Sequence, residues 1–148
     1  MKIALVFASV HHGNTRKIVN AIADNIDLEL IDATIVTEKD MHQYDLIGFA
    51  SGIFYSEFHH SVVNFANTNL IPYKNIFTIC TYGSKKNYVD KFMKKISGKK
   101  PNLVGSYGCL GFDTFGPFKL VGGIAKGHPT NKEINEAIKF VENLINIM

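Results

Sequence analysis

The stretch Leu5–Ala23, LVFASVHHGNTRKIVNAIA, governs how the rest of the chain is read. An apolar, β-branched run from Lys2 to Ala8 stops abruptly at the small polar residues Ser9-Val10-His11-His12-Gly13-Asn14-Thr15. From Thr15 onward Ile18, Ile22 and Ile26 recur at four-residue spacing, the stripe of a helix that buries one face. A strand, a tight turn and a helix therefore follow one another within about two dozen residues, as in the first half of a βαβ unit.

The same alternation continues outward. Leu28 to Asp32, Asp45 to Ala50, Asn75 to Thr81 and Asn102 to Leu110 read as four more strands, several without the polar alternation of a half-exposed sheet. Helical spacing lies between them: Val62, Phe65 and Ala66, then Val89, Phe92, Met93 and Ile96. The last helix opens at Thr130-x-x-Glu133, a capping box after Pro129, and carries Ile134, Ile138, Val141 and Ile145 as its stripe. Ala33 to Tyr44 reads either as a short helix or as a crossover loop. Strands alternating with helices predict an α/β fold: a parallel sheet joined by right-handed crossovers inside a three-layer α/β/α sandwich.

Composition agrees with such a fold. The 148 residues are 46% hydrophobic and 20% charged, with no Trp and no low-complexity tract or internal repeat, so one domain is expected. Two cysteines, Cys80 and Cys109, exclude a disulfide framework and suit a reducing compartment. No apolar run approaches the about 20 residues of a membrane span, and the run Ile3 to Val10 lacks a cleavage-site pattern. The expectation is a cytoplasmic protein with no membrane association. Net charge is +3, and seven lysines (Lys85, Lys86, Lys91, Lys94, Lys95, Lys99, Lys100) crowd one stretch beside a single acid, Asp90. That patch reads either as a solvated helix face or as an attractor of acidic or phosphate-bearing partners. No aromatic interleaving or nucleic-acid motif accompanies it, so no nucleic-acid partner is expected.

A polar turn between a strand and a helix sits at the carboxyl edge of the sheet, where open α/β sheets bind ligands. Its amides, with the positive end of the following helix, form an anion site. Ser9, Asn14 and Thr15 add side-chain donors, and Gly13 permits the sharp turn. Neither the G-x-x-x-x-G-K-[ST] nor the G-x-G-x-x-G spacing is present, so the group suggested is a phosphate monoester held by neutral donors. A plain helix cap is the alternative. SGIFYSEFHH (Ser51 to His60) and TYGSKKNY (Thr81 to Tyr88) leave the same edge, each with Gly beside aromatics, and together the three loops suit a ligand with a phosphate at one end and a flat ring at the other.

These pieces resemble the flavodoxin family: the first strand and loop, YDLIGFASGIFYSEFHHSV, the fourth strand and its loop, and GCLGFDTFGPFKLVGGIAKGHP, together most of the chain. The resemblance implies a five-stranded parallel sheet of order 2-1-3-4-5, the arrangement for which flavodoxin is itself the standard example. It also implies FMN as cofactor. Ser9, Val10, His11, His12, Gly13, Asn14 and Thr15 would hold its phosphate. Ser51, Gly52, Ile53, Phe54 and Tyr55 would flank the ring on one side, and Thr81, Tyr82, Gly83 and Ser84 on the other. The stacking tyrosine is Tyr82 or Tyr88. Ser9 stands four residues before Gly13 rather than the family's usual three, with His11 and His12 in the extra space, and the basic charge departs from the family's acidic norm. Redox partner proteins with an acidic docking surface are therefore expected.

Other chemistries fit less well. His11-His12 and His59-His60 are adjacent pairs without metal-ligand spacing, and the cysteines read as buried thiols rather than a redox dithiol. Ala8-Ser9 and Ala50-Ser51 stand where a receiver domain needs carboxylates. No hydrolase triad is apparent, and no catalytic residue or metal ligand is assigned. The long segment Gly111 to Pro129, with Phe112, Phe115 and Phe118, either covers a planar ligand or pins itself to the core. Electron carriage is the expected function, with FMN-dependent turnover of a small substrate such as a quinone as the alternative.

Overall fold

The structure, a computed structural model, describes residues 1–10, 12–112 and 123–148. Its centre is β1 (Ile3–Ala8), buried at all six positions. Ala4, Val6 and Ala8 face one core and Ile3, Leu5 and Phe7 the other, so the strand has no side left for polar residues. This is why its sequence shows no alternation.

On one side of the sheet lie α1 (Asn14–Asn25), through Ile18, Val19 and Ile22, and α4 (Asn131–Ile147), through Ala137, Val141 and Leu144. On the other lie α2 (His60–Asn69), through Val62, Val63, Phe65 and Ala66, and α3 (Tyr88–Lys95), through Tyr88 and Phe92. The expected Ile134, Ile138 and Ile145 flank the buried centre of α4 rather than form it. The Thr130 hydroxyl accepts the Glu133 amide at 3.2 Å and the Glu133 carboxylate accepts the Thr130 amide at 2.8 Å, completing the capping box.

Parallel strands run in the order β2-β1-β3-β5-β6, where β2 is Glu29–Asp32, β3 Leu46–Phe54, β5 Asn75–Tyr82 and β6 Asn102–Leu110. With the two-residue β4 (Glu57–Phe58) set aside, this is the expected order 2-1-3-4-5 in a three-layer sandwich. Ala33 to Tyr44 is a crossover without a helix. Met41 and Tyr44 anchor it in the core, while the Asn69 side chain donates to the Thr37 carbonyl at 2.9 Å and accepts from the Lys39 amide at 2.9 Å.

The third strand runs past the expected end at Ala50. Ser51 and Gly52 still pair with Cys80 and Thr81, and Ile53 and Phe54 pair antiparallel with Phe58 and Glu57. The hairpin turns at Tyr55 and Ser56, both left-handed at φ 50° and 65°. This is the φ pattern of a type I′ turn, which normally announces itself by Asn-Gly or Asp-Gly, and neither is present. Among the described residues no helix is long and apolar enough to cross a membrane.

Candidate functional site

The carboxyl ends of β1, β3 and β5 open into a cleft lined by Ser9, Val10, Asn14, Thr15, Gly52, Ile53, Phe54, Thr81, Tyr82 and Gly83, with Gly111 and Phe112 closing it beyond β6. Ten of the sixteen expected site residues thus meet in one place. His12, Gly13, Ser51, Tyr55 and Ser84 stand around it without lining it, and His11 lies outside the described residues.

At the first loop Gly13 is the N-cap of α1 at φ 66°, the left-handed conformation that glycine adopts without penalty. It caps with no side chain, and the first turn of α1 holds no acid. The helix dipole is therefore left uncompensated by a carboxylate, as an anion site requires. The Ser9 hydroxyl accepts the Arg16 amide at 3.0 Å. The Arg16 guanidinium points elsewhere, pairing with Asp32 at 3.1 Å and lying 5.0 Å from the Phe7 ring centre.

Behind the loop Thr15 and Asn14 are buried. The Thr15 hydroxyl meets the Thr81 hydroxyl at 3.0 Å, tying the first loop to the third. The Asn14 amide nitrogen donates to the Phe112 carbonyl at 2.8 Å, while its Oδ1 is buried with no hydrogen-bond partner among the described residues. A buried acceptor left unpaired costs about 1–3 kcal/mol, so it marks a place where a ligand donor is favoured.

In the second loop the buried Ser51 hydroxyl donates to the Gly52 carbonyl and accepts the His59 amide at 2.9 Å. Phe54 meets the His59 ring edge-on at 5.1 Å. His59 itself caps α2, its Nδ1 accepting the Ser61 amide at 3.2 Å. Burial, with the neighbouring His60 adding to it, pushes the His59 imidazole below its ordinary value. Tyr55 is 81% exposed at the hairpin tip and does not face the cleft.

The third loop settles which tyrosine stands at the cleft. Tyr88 is buried in the core and its hydroxyl donates to the Ser84 carbonyl, holding the loop in shape. Tyr82 is the cleft residue, with its ring over Gly108 and 5.9 Å from the Tyr88 ring. Burial raises the Tyr82 phenol, which stays neutral.

Gly111 and Phe112, which open the segment read either as covering a planar ligand or as pinning itself to the core, were not among the assigned site residues but line the cleft. A Cβ on Gly111 would lie 2.7 Å from the Asn14 amide nitrogen, and the Phe112 ring lies tilted against the His12 ring with centroids 4.3 Å apart. The glycine directly after the last strand was the available signal. Phe115 and Phe118 lie outside the described residues. The cysteines sit in opposite cores, with burial pushing both thiols up to about 12. A bulge after Ile76 shifts the β5–β6 register by one residue, setting Cys109 beside Thr81 and Gly108 beside Cys80, so the thiols face opposite sides of the sheet. Among the described residues no three His, Cys, Asp or Glu side chains gather as a metal site.

A family model described as a flavodoxin domain matches residues 5–119, more than half of the chain. The chain belongs to the flavodoxin family. An uncharacterized protein of Methanocaldococcus jannaschii is 32% identical over 148 residues, covering 98% of this chain and 99% of that one. The flavodoxin of Streptococcus pneumoniae superposes with a TM-score of 0.67 at 17% identity over 100% of both chains. A flavoprotein from Lactobacillus acidophilus, solved in complex with FMN, superposes with a TM-score of 0.56 at 17% identity over 72% of this chain and 92% of its own.

Proposed function

We propose that this member of the flavodoxin family is a cytoplasmic electron carrier that binds FMN non-covalently in the cleft of β1, β3 and β5. The observation that carries the reading is the pairing of an acid-free helix N-terminus with the buried Asn14 Oδ1, unpartnered among the described residues, in a cleft that Phe54 and Tyr82 also line. An acceptor, anion-binding amides and aromatic surface lining one cleft match a phosphorylated sugar alcohol joined to a flat ring. The FMN held by the Lactobacillus acidophilus flavoprotein on the same fold supports the choice of cofactor.

FMN, when bound, supplies the redox chemistry. The chain's part is positioning. The amides of residues 9, 10 and 12–15 with the Ser9 and Thr15 hydroxyls would hold the phosphate, and Asn14 Oδ1 would accept from a donor of the ligand. Phe54 and Tyr82 would shield the ring from water. The Ser51 hydroxyl bond to the Gly52 carbonyl is the contact that any turn of the 52–53 peptide toward the ring must exchange.

Flavin fluorescence titration of the purified protein tests this, with two variants of equal size. A Cβ at Gly13 meets nothing within 4 Å, and Asn and Asp tolerate a left-handed backbone better than other residues. Gly13→Asn is expected to retain FMN, and Gly13→Asp to bind it at least about tenfold more weakly because its carboxylate faces the phosphate. Unquenched flavin in the unaltered protein, or equal affinities for the two variants, contradicts the assignment.

A further inference from the structure

We infer that the face built by α3 and the β3–β4 hairpin docks a protein with an acidic surface; this rests on the carrier reading above. The fold sorts the lysine-rich stretch by side. Tyr88, Phe92 and Ile96 turn inward, while Lys85, Lys86, Lys94 and Lys95 are left exposed. Lys95 pairs with Glu57 of the hairpin, and Lys91 Nζ reaches the Ser56 carbonyl at 3.4 Å. Among the described residues Lys85, Lys86 and Lys94 have no carboxylate within ion-pair distance. A solvated helix face normally intersperses charges of both signs, but here Asp90 is the one acid between residues 85 and 100.

The hairpin supplies the second half of the argument. It presents Tyr55, 81% exposed, on a turn whose two central residues are left-handed and neither of them glycine. Such backbone costs about 1 kcal/mol or more per residue and persists where surrounding contacts hold it. Among the described residues Lys91 reaches the Ser56 carbonyl and Lys95 pairs with Glu57 beside it. Tyr55 stands on the hairpin side of α3, while Lys85 and Lys86 line a hollow with Tyr82, Ser106 and Gly108; an exposed aromatic and uncompensated cations flanking one helix supply the parts of a protein interface, an anchor to be buried and a charged rim that sets the partner's sign.

Position links this face to the cleft. Phe54 lines the cleft and Tyr55 follows it; Gly83 lines the cleft and Lys85 is two residues on. A partner seated on Tyr55 and the lysines therefore lies against the mouth of the site. The carboxylates that complement the lysines belong to the partner.

The test is binding of an oxidised plant-type [2Fe–2S] ferredoxin of strongly negative net charge, followed by calorimetry, with basic cytochrome c as the opposite probe. Binding of the ferredoxin is expected to weaken about tenfold or more between about 20 and 200 mM salt, while cytochrome c does not bind. Lys86→Glu with Lys94→Glu should abolish binding at low salt, whereas Lys139→Glu, exposed on α4, should not. Tyr55→Ala should weaken binding without changing its salt dependence. The inference is overturned by no ferredoxin binding, by binding indifferent to the double reversal, or by a mixed-sequence DNA duplex binding more tightly with the same dependence on Lys86 and Lys94. FMN titration of the same samples separates the two proposals. Bound FMN without ferredoxin binding sinks the docking face alone, and ferredoxin binding without FMN sinks the carrier reading.

Discussion

His59 joins three parts of the site: its amide holds Ser51, its Nδ1 caps α2 and its ring meets Phe54. Because Nδ1 accepts the Ser61 amide, the folded state requires a ring unprotonated there, and burial depresses its affinity for a proton. The unfolded chain takes up that proton below about pH 6.5 while the folded chain resists it, so stability is present above this value and is lost as pH falls toward the folded pKa. His59→Asn keeps an N-cap acceptor and removes the titration. Urea unfolding is expected to show the unaltered protein losing stability relative to the variant between about pH 7.5 and 5.5, and parallel curves contradict this. The pair His59-His60 is visible in sequence, but the tie that fixes His59 at the cleft is not, because the Ser51 hydroxyl that receives its amide belongs to another element. Asn14 shows the same limit: its spacing after Gly13 marks a turn residue, and only the approach of Phe112, 98 residues away, leaves Oδ1 as the unpaired atom.

At the scale of elements, the interior strands were the most legible, because two-sided burial forces continuous apolar runs. Gly48 is the exception inside β3, and packing explains it. A Cβ there would lie 2.3 Å from Phe77 Cζ and 2.6 Å from Leu5 Cδ1, across both neighbouring strands. Gly48→Ala should therefore cost about 1–3 kcal/mol through overpacking, seen as a lower urea midpoint at unchanged slope. An unchanged midpoint means that the two side chains yield freely. The hairpin was the element that local reasoning lacked, since Tyr55-Ser56 carries none of the residues that favour its turn and α3 contacts hold it.

For the whole molecule, a ligand that binds only the folded chain raises its stability by mass action. FMN at about 100 times its Kd should add about 2.7 kcal/mol, a Tm rise of about 5–10 °C for a chain of this length. Riboflavin, which lacks the phosphate, should raise Tm less at the same concentration; equal shifts would remove the phosphate from the first loop. The sequence by itself determined the alternating elements, the two-sided sheet and the polar turn at its edge, because periodicity, capping and turn chemistry depend on near neighbours along the chain. Only the tertiary structure decided that Tyr82 rather than Tyr88 stands at the cleft, that the two thiols face apart, and that Gly111 and Phe112 close the site. These outcomes hang on strand register, where a one-residue bulge sends each later side chain of β6 to the opposite face, and register is set by packing between segments far apart in sequence.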